Sequence, residues 1–191
     1  DYLLWAEKYD LAEKLFKSLD KDVRKEFALR MYLLTGCFIK QKPKIQNVNW
    51  QNDEGLAFAL AKYYRKHNED LKAIDIISFY FDSREHNEQW LLEATVIARR
   101  FLESNQPKEA YNLLNQYRSK SISNLNFINN EWFKGWLELY FLNLPQNAIN
   151  RFESLYPQLK SPISLARFSY FLSVAYKKKN DLNKSLSWRR E

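Results

Sequence analysis

Three glycines, one cysteine and two histidines in 191 residues are too few for several common kinds of site. A phosphate-cradling loop needs clustered small residues so that the backbone can approach its ligand. Gly36, Gly55 and Gly135 stand far apart, which excludes Walker and Rossmann nucleotide sites. Cys37 alone makes no intrachain disulfide, and with His67 and His86 it cannot assemble a zinc cluster. The scarcity of glycine, with only five prolines, also argues against an all-β chain, whose short strands need turn residues at close intervals. No run of about 18 apolar residues occurs, so no membrane-spanning helix is expected. Nothing in the composition calls for a cofactor. The chain opens Asp1-Tyr2-Leu3-Leu4, without an initiator methionine or a basic segment followed by an apolar one. The expectation is a processed piece of a longer chain whose targeting signal, if any, has been removed.

What the chain does contain is helical periodicity. Leu56, Phe58, Ala59, Leu60, Tyr63 and Tyr64, and later Trp90, Leu91, Ala94, Ile97, Ala98 and Phe101, recur at helical spacing, and apolar residues at i, i+3, i+4 and i+7 give a helix one buried face. Short polar breaks separate such segments: His67-Asn68-Glu69-Asp70, Ser104-Asn105-Gln106-Pro107, Asn143-Leu144-Pro145 and Lys177-Lys178-Lys179-Asn180-Asp181. Each can end one helix and start the next, with Pro or Asp where a helix N-terminus tolerates it.

The segments repeat. Ala73, Ala110, Ala148 and Ser185 open the second helix of four successive hairpins, at offsets of 37, 38 and 37 residues. At the same offsets Ala61, Ala98, Trp136 and Ser173 fall in one column of the first helix, and Tyr64, Phe101, Leu139 and Tyr176 in another. Two antiparallel helices joined by a tight turn need a small residue where their backbones nearly touch, a device of tetratricopeptide repeats, whose period is about 34. The expected fold is all-α: a single superhelical domain of stacked antiparallel hairpins, a tetratricopeptide-like α-solenoid. Residues 54–191 form its four hairpins, and 1–53 form irregular N-terminal helices and a connection. Within that N-terminal part, 2–19 read as another hairpin tightened at Ala12, and 20–36 as a helix capped by Asp20. The stretch 37–54, with Lys40, Lys42, Pro43, Lys44 and an Asn-rich run, reads as a long connection of the kind that sometimes carries function.

Candidate chemistry is thin. Glu131 and Glu138 lie on one helix, where the expectation is two solvated surface carboxylates rather than an acid/base pair of the kind glycan cleavage requires. His67 and His86 occupy turn-like contexts and are expected to cap or to face solvent. Cys37 has no neighbouring cation to favour its thiolate. The net charge of +7 raises the question of nucleic acid, since clustered cations gain affinity by releasing counterions. The basic runs Lys40–Lys44, Arg99-Arg100, Lys177–Lys179 and Arg189-Arg190 fall at separate loops and helix ends, however, where lysine also complements the helix dipole. Successive repeats lack a repeated base-reading pair of side chains, so no nucleic-acid partner is expected. Thirteen Phe, twelve Tyr and six Trp supply many ring faces, most of them needed for packing between hairpins. Trp50, in the polar connection, is the best single candidate for stacking on a sugar or peptide.

The C-terminal part carries a more specific pattern. Glu131-Trp132-Phe133-Lys134-Gly135-Trp136-Leu137-Glu138-Leu139, a turn, Ala148 and Phe152 are followed by Ser161-Pro162-Ile163-Ser164-Leu165-Ala166-Arg167-Phe168-Ser169-Tyr170-Phe171. These blocks resemble the helical superstructure domain of the soluble lytic murein (peptidoglycan) transglycosylases, with an E-W-x-x-G-W-x-x-L block, a hairpin, and a P-I-S-x-A-R-x-x-Y-W block. Trp90, Arg99 and Ala110-Tyr111 resemble the preceding hairpin, and Leu3-Leu4-Trp5 with Ala12 and Leu15 an earlier one. Phe171 stands where the family has Trp, and Leu172-Ser173-Val174-Ala175 replaces a Gly-Arg-Ala-Ala run.

The resemblance implies a bacterial periplasmic enzyme that cleaves murein glycan strands to 1,6-anhydro ends. Its catalytic glutamate would lie in a lysozyme-like domain that follows this region and is absent from this chain. Glu103-Ser104 and Glu153-Ser154 lack the Gly-Leu-Met-Gln stretch that follows that family's catalytic Glu-Ser, so neither is catalytic. The chain would then position glycan strands rather than cut them. Trp132, Gly135, Trp136, Pro162, Ser164, Arg167 and Tyr170 are expected to be structural: Gly135 permitting a helix crossing, Pro162 opening a helix, Ser164 capping amides, and Arg167 bonding a carboxylate or carbonyl of a neighbouring hairpin. The repeat alone equally suits an adaptor that binds a protein or peptide partner.

Overall fold

The computed structural model describes residues 1–38, 43, 45, 48–83, 85–117 and 125–190, and every regular element among them is helical. Two compact units divide the chain, 1–80 and 81–191. The first contains α1 (Tyr2–Trp5), α2 (Tyr9–Leu15), α3 (Lys21–Thr35), α4 (Glu54–Lys66) and α5 (Asp70–Tyr80). The second contains α6 (Asn87–Glu103), α7 (Pro107–Asn115), α8 (Leu125–Tyr140), α9 (Pro145–Leu155), α10 (Pro162–Lys178) and α11 (Leu182–Trp188). The hairpins are α1/α2, α4/α5, α6/α7, α8/α9 and α10/α11, and α3 packs on α4.

A left-handed residue marks the turn of each of these hairpins. Glu7, Asn68, Asn105, Asn143 and Asn180 have left-handed backbones, with φ between 54° and 61°. Each stands five residues ahead of a buried small residue: Ala12, Ala73, Ala110, Ala148 or Ser185. Asparagine tolerates this conformation better than other residues with a Cβ, which accounts for four of the five. Glu7 lacks that tolerance; its carboxylate pairs with the buried Lys62 ammonium. In four turns the amide after the left-handed residue donates to the carbonyl five residues back, as in Glu69 N to Tyr64 O, 2.9 Å, and Gln106 N to Phe101 O, 2.7 Å. Ser185 Oγ donates to Ser173 O at 2.8 Å, a direct sign of how near the paired backbones run.

The α8/α9 turn departs from the others and corrects the alignment of the first helices. There the six-residue step is Leu144 N to Glu138 O, 2.8 Å, and the usual five-residue step ends one position early, Leu142 N to Leu137 O, 3.0 Å. One extra residue, the source of the 38 between periods of 37, sits inside this turn rather than after it. The small-residue column is therefore Ala61, Ala98, Gly135 and Ser173, with Gly135 in place of Trp136. Glu138, not Leu139, falls in the column of Tyr64, Phe101 and Tyr176.

Pro107, Pro145 and Pro162 each open a helix at its first turn, where the missing N–H leaves no bond unmade. Asp53 and Asp181 cap α4 and α11 by accepting from Leu56 N (2.9 Å) and Lys184 N (3.1 Å). Asp20 occupies the capping position of α3 without making a side-chain bond. Ser164 is likewise not a cap: it is the third residue of α10 and buried, and Ser161, which precedes the helix, makes no capping bond. His67 ends α4 with Nδ1 2.8 Å from Tyr63 O and its ring stacked on Tyr63. Lys40, Lys42, Lys44 and Asn47 of the expected connection lie outside the described residues.

Candidate functional site

In the second unit α8 is covered on several sides, by α6, α7, α9 and α10. One side carries charge, although surface carboxylates are the expectation there. Glu138 is fully buried and Glu131 only 8% exposed. Arg151 of α9 clamps Glu138 through Nε to Oε2 (3.1 Å) and Nη2 to Oε1 (2.8 Å), and its Nη1 pairs with Glu131 Oε2. Lys134 pairs with the other Glu131 oxygen, and Tyr111 Oη of α7 donates to Glu138 Oε1 at 2.8 Å. Burial alone would lower Arg151, but its bonds to Glu138 and the two carboxylate charges outweigh that and raise it further above the guanidinium range. Burial dominates at Lys134 and holds its ammonium below the usual lysine value. Every carboxylate oxygen in this cluster is taken up by an internal donor, so the cluster ties α7, α8 and α9 together and turns nothing toward a substrate. Glu131, Lys134 and Glu138, spaced i, i+3, i+7 within an apolar run, were the readable signal of one buried face.

The other side of α8 floors an open cavity of about 640 Å³, walled by α6 and α10. Volumes of a few hundred to a thousand Å³ are typical of ligand pockets. Leu91, Leu92 and Leu102 form an apolar wall, and Phe133, Trp132 and Trp136 supply rings. Asn126, Asn129, Asn130 and Thr95 add polar groups, and Arg99 and Arg167 add charge; among the described residues no carboxylate lines the cavity. Arg167 Nη1 donates to Asn129 Oδ1 at 2.9 Å, and its guanidinium lies 5.0 Å from the centre of the Trp132 ring. Its partner is thus a side-chain amide of the preceding hairpin instead of a carboxylate or backbone carbonyl. Asn130 is only 2% exposed, yet among the described residues neither its Oδ1 nor its Nδ2 has a partner, and the Trp132 indole N–H is also unpaired.

The motif residues thus separate. Trp132, Trp136 and Arg167 meet at the cavity; Gly135 faces the other way, under the Phe152 ring. Pro162 is an exposed helix start, and Ser164 lines a separate recess with Leu125, Ile128 and Leu159. Tyr170, 58% exposed, lies beyond the cavity and meets Phe171 edge to face; Phe171 in turn touches Trp132, at a 5.4 Å centroid distance. Trp136 contacts Phe141 and Tyr140, both partly exposed, so rings continue from the cavity onto the surface. Trp50 belongs to the first unit, where its ring meets Phe79 edge to face at 5.4 Å and its carbonyl accepts from Tyr80 Oη at 3.1 Å. Asn130 was missed in the sequence because an asparagine inside a helix carries no spacing signature.

Tyr176 gives the second unit a pH dependence. Burial, then the Glu153 carboxylate that accepts its hydroxyl hydrogen and the charge of Asp181, push its phenol from an ordinary 10.0 up to about 12. Tyr111 is raised as well, by burial and then by Glu138. The folded chain therefore keeps protons that the unfolded chain releases, and the stability they contribute is present below pH 10 and lost as pH rises through about 12. The urea midpoint is expected to fall between pH 9 and 11.5, and less steeply in Tyr176→Phe. An unchanged slope in that variant would remove Tyr176 as the cause.

No family model matches the chain, and no curated protein matches it. Among solved structures, it is similar to a Podosopora anserina protein described as a kinesin light chain with nearly identical TPR-like repeats. The TM-score is 0.54 at 13% identity, over 97% of this chain and 91% of that one. With helices alone among its described regular elements, the chain has an all-α, TPR-like α-solenoid fold. Among the described residues, no helix is long and apolar enough to cross a membrane, and no group of three or more His, Cys, Asp or Glu is placed to hold a metal ion.

Proposed function

We propose that this chain is an adaptor-type recognition module that holds an extended protein or peptide partner in the groove between α6, α8 and α10. The observation that carries this reading is the groove itself, where aromatic faces, an apolar wall and an unpaired buried amide stand together. Helical-hairpin arrays offer extended surfaces of this kind. In a fluorescence titration with a pool of random octapeptides, the tryptophan emission is expected to shift, and Trp136→Ala is expected to abolish retention of peptides on the immobilised chain. No retention of any peptide by the folded native chain overturns the proposal.

A second reading is favoured by the two linked sequence blocks, whose Trp132, Trp136 and Arg167 meet at this groove. On that reading the extended partner is a murein glycan strand. The chain would be the non-catalytic helical domain of a periplasmic peptidoglycan lytic transglycosylase, positioning strands for a separate catalytic domain. Ring faces and side-chain amides suit N-acetylated sugars as well as peptides. Co-sedimentation with purified murein sacculi, lost in Trp136→Ala and without release of anhydro-muropeptides, is the expected result. Failure of the native chain to sediment with sacculi overturns the second reading alone.

A further inference from the structure

We infer that the α6–α8–α10 groove selects a short acidic peptide segment, and that Asn130 is the residue that reads its backbone. This rests on the proposed peptide-binding function and adds the chemistry of the partner.

Asn130 presents one donor and one acceptor side by side, both without a partner among the described residues, at a position only 2% exposed. A buried carboxamide left unpaired costs the folded state the full desolvation of both atoms. A residue in an extended segment turns its own N–H and C=O to the same side, so such a segment lying along α8 satisfies both atoms of Asn130 at once. The Trp132 indole N–H, also buried and unpaired, is a further donor for a carbonyl of the same segment.

The charge of the groove sets the second requirement. Arg99 on α6 and Arg167 on α10 add two cations to the cavity, and among the described residues no Asp or Glu lines it; one acid, Glu88, stands beside it and accepts from the lining Asn126 at 3.3 Å. Arg99 makes no hydrogen bond or ion pair among the described residues. Arg167 is held in place by Asn129 and the Trp132 face, leaving other guanidinium N–H groups for a ligand. A guanidinium positioned in advance loses little freedom when a carboxylate arrives, and its paired N–H groups match both carboxylate oxygens. The apolar wall of Leu91, Leu92 and Leu102 accepts an aliphatic or aromatic side chain next to that carboxylate. A basic segment would place its cations against two arginines, with Glu88 engaged by Asn126.

The test uses the whole 191-residue chain, immobilised, with a synthetic pool of random octapeptides, and sequences the retained peptides. Asp and Glu are expected to be enriched at least about threefold over the input. That enrichment should disappear in Arg99→Gln, an exposed position whose replacement leaves the fold intact. Asn130→Leu is expected to retain less than about a tenth of the peptide that the native chain retains, while melting at a higher temperature, because an apolar side chain of similar size removes two unpaired buried atoms. Retention without acidic enrichment overturns this inference and leaves the proposed function standing. Retention of muropeptides but of no random peptide overturns both. A lower melting temperature in Asn130→Leu with unchanged peptide retention makes Asn130 a structural residue and ends its assignment as a reader.

Discussion

Replacing Arg151 with methionine is expected to destabilise the second unit by about 3–5 kcal/mol, the range found when one partner of a buried ion pair is removed. Glu138, fully buried, would keep only the Tyr111 hydroxyl, and Glu131 only the Lys134 ammonium. Among the described residues Arg151 is the cation that reaches both carboxylates, so its loss leaves the fully buried Glu138 without a counter-charge and Glu131 with one instead of two. Domains of this size have total stabilities of roughly 5–15 kcal/mol, so the variant is expected to lose a large share of the unit's stability. Urea unfolding of the single variant, and of Arg151→Met combined with Glu138→Gln, separates a stranded charge from lost packing. The combination should recover a good part of the loss, because the glutamine needs hydrogen bonds but no counter-charge. A loss below about 1 kcal/mol in the single variant would mean that the cluster is hydrated and contributes little. Since the same helix floors the groove, peptide retention should fall together with stability in Arg151→Met and return in the combination.

Gly135→Leu is expected to cost about 3 kcal/mol, at the upper end of what overpacking a core usually costs. A Cβ at this position would stand 2.3 Å and 2.4 Å from two atoms of the Phe152 ring. That ring has no free side to retreat to: it is fully buried, with Phe168 at 5.2 Å and Phe171 at 6.3 Å between centroids. Even Gly135→Ala should destabilise, although alanine is favoured over glycine inside a helix by about 1 kcal/mol. A melting-temperature drop of more than about 10 °C for the leucine variant is the expected reading. Gly135→Ala combined with Phe152→Leu should melt above Gly135→Ala alone, since the smaller side chain makes room. An unchanged melting temperature for both single variants would mean that α8 and α9 can move apart at no cost.

Most of the architecture was legible without coordinates. Ala73, Ala110, Ala148 and Ser185 mark the tight helix pairs because close backbones admit only small side chains, and prolines mark helix starts because an unpaired N–H is dispensable there. The four asparagines before those small residues were visible too, though their common left-handed backbone was not read from them. The column error at Trp136 has a simple origin. A 38-residue period shows that one residue is extra, but only the turn's hydrogen bonds show that it lies before Asn143.

The site was legible only in part. The sequence pattern marks Trp132, Trp136 and Arg167, whereas nothing in it marks Asn130, and the helical spacing of Glu131 and Glu138 suits a surface as well as a buried face. A helix with one buried face can be read from periodicity, but α8 packs against helices on several sides, so its polar residues are buried by neighbours distant in sequence. Arg151 comes from α9, Tyr111 from α7 and Arg167 from α10. Helix, turn and repeat are dictated by interactions within a few residues, and those the sequence alone determined. Which carboxylates meet a cation, which asparagine is left unpaired and which rings face a cavity depend on how three hairpins pack together, and only the tertiary structure decided them.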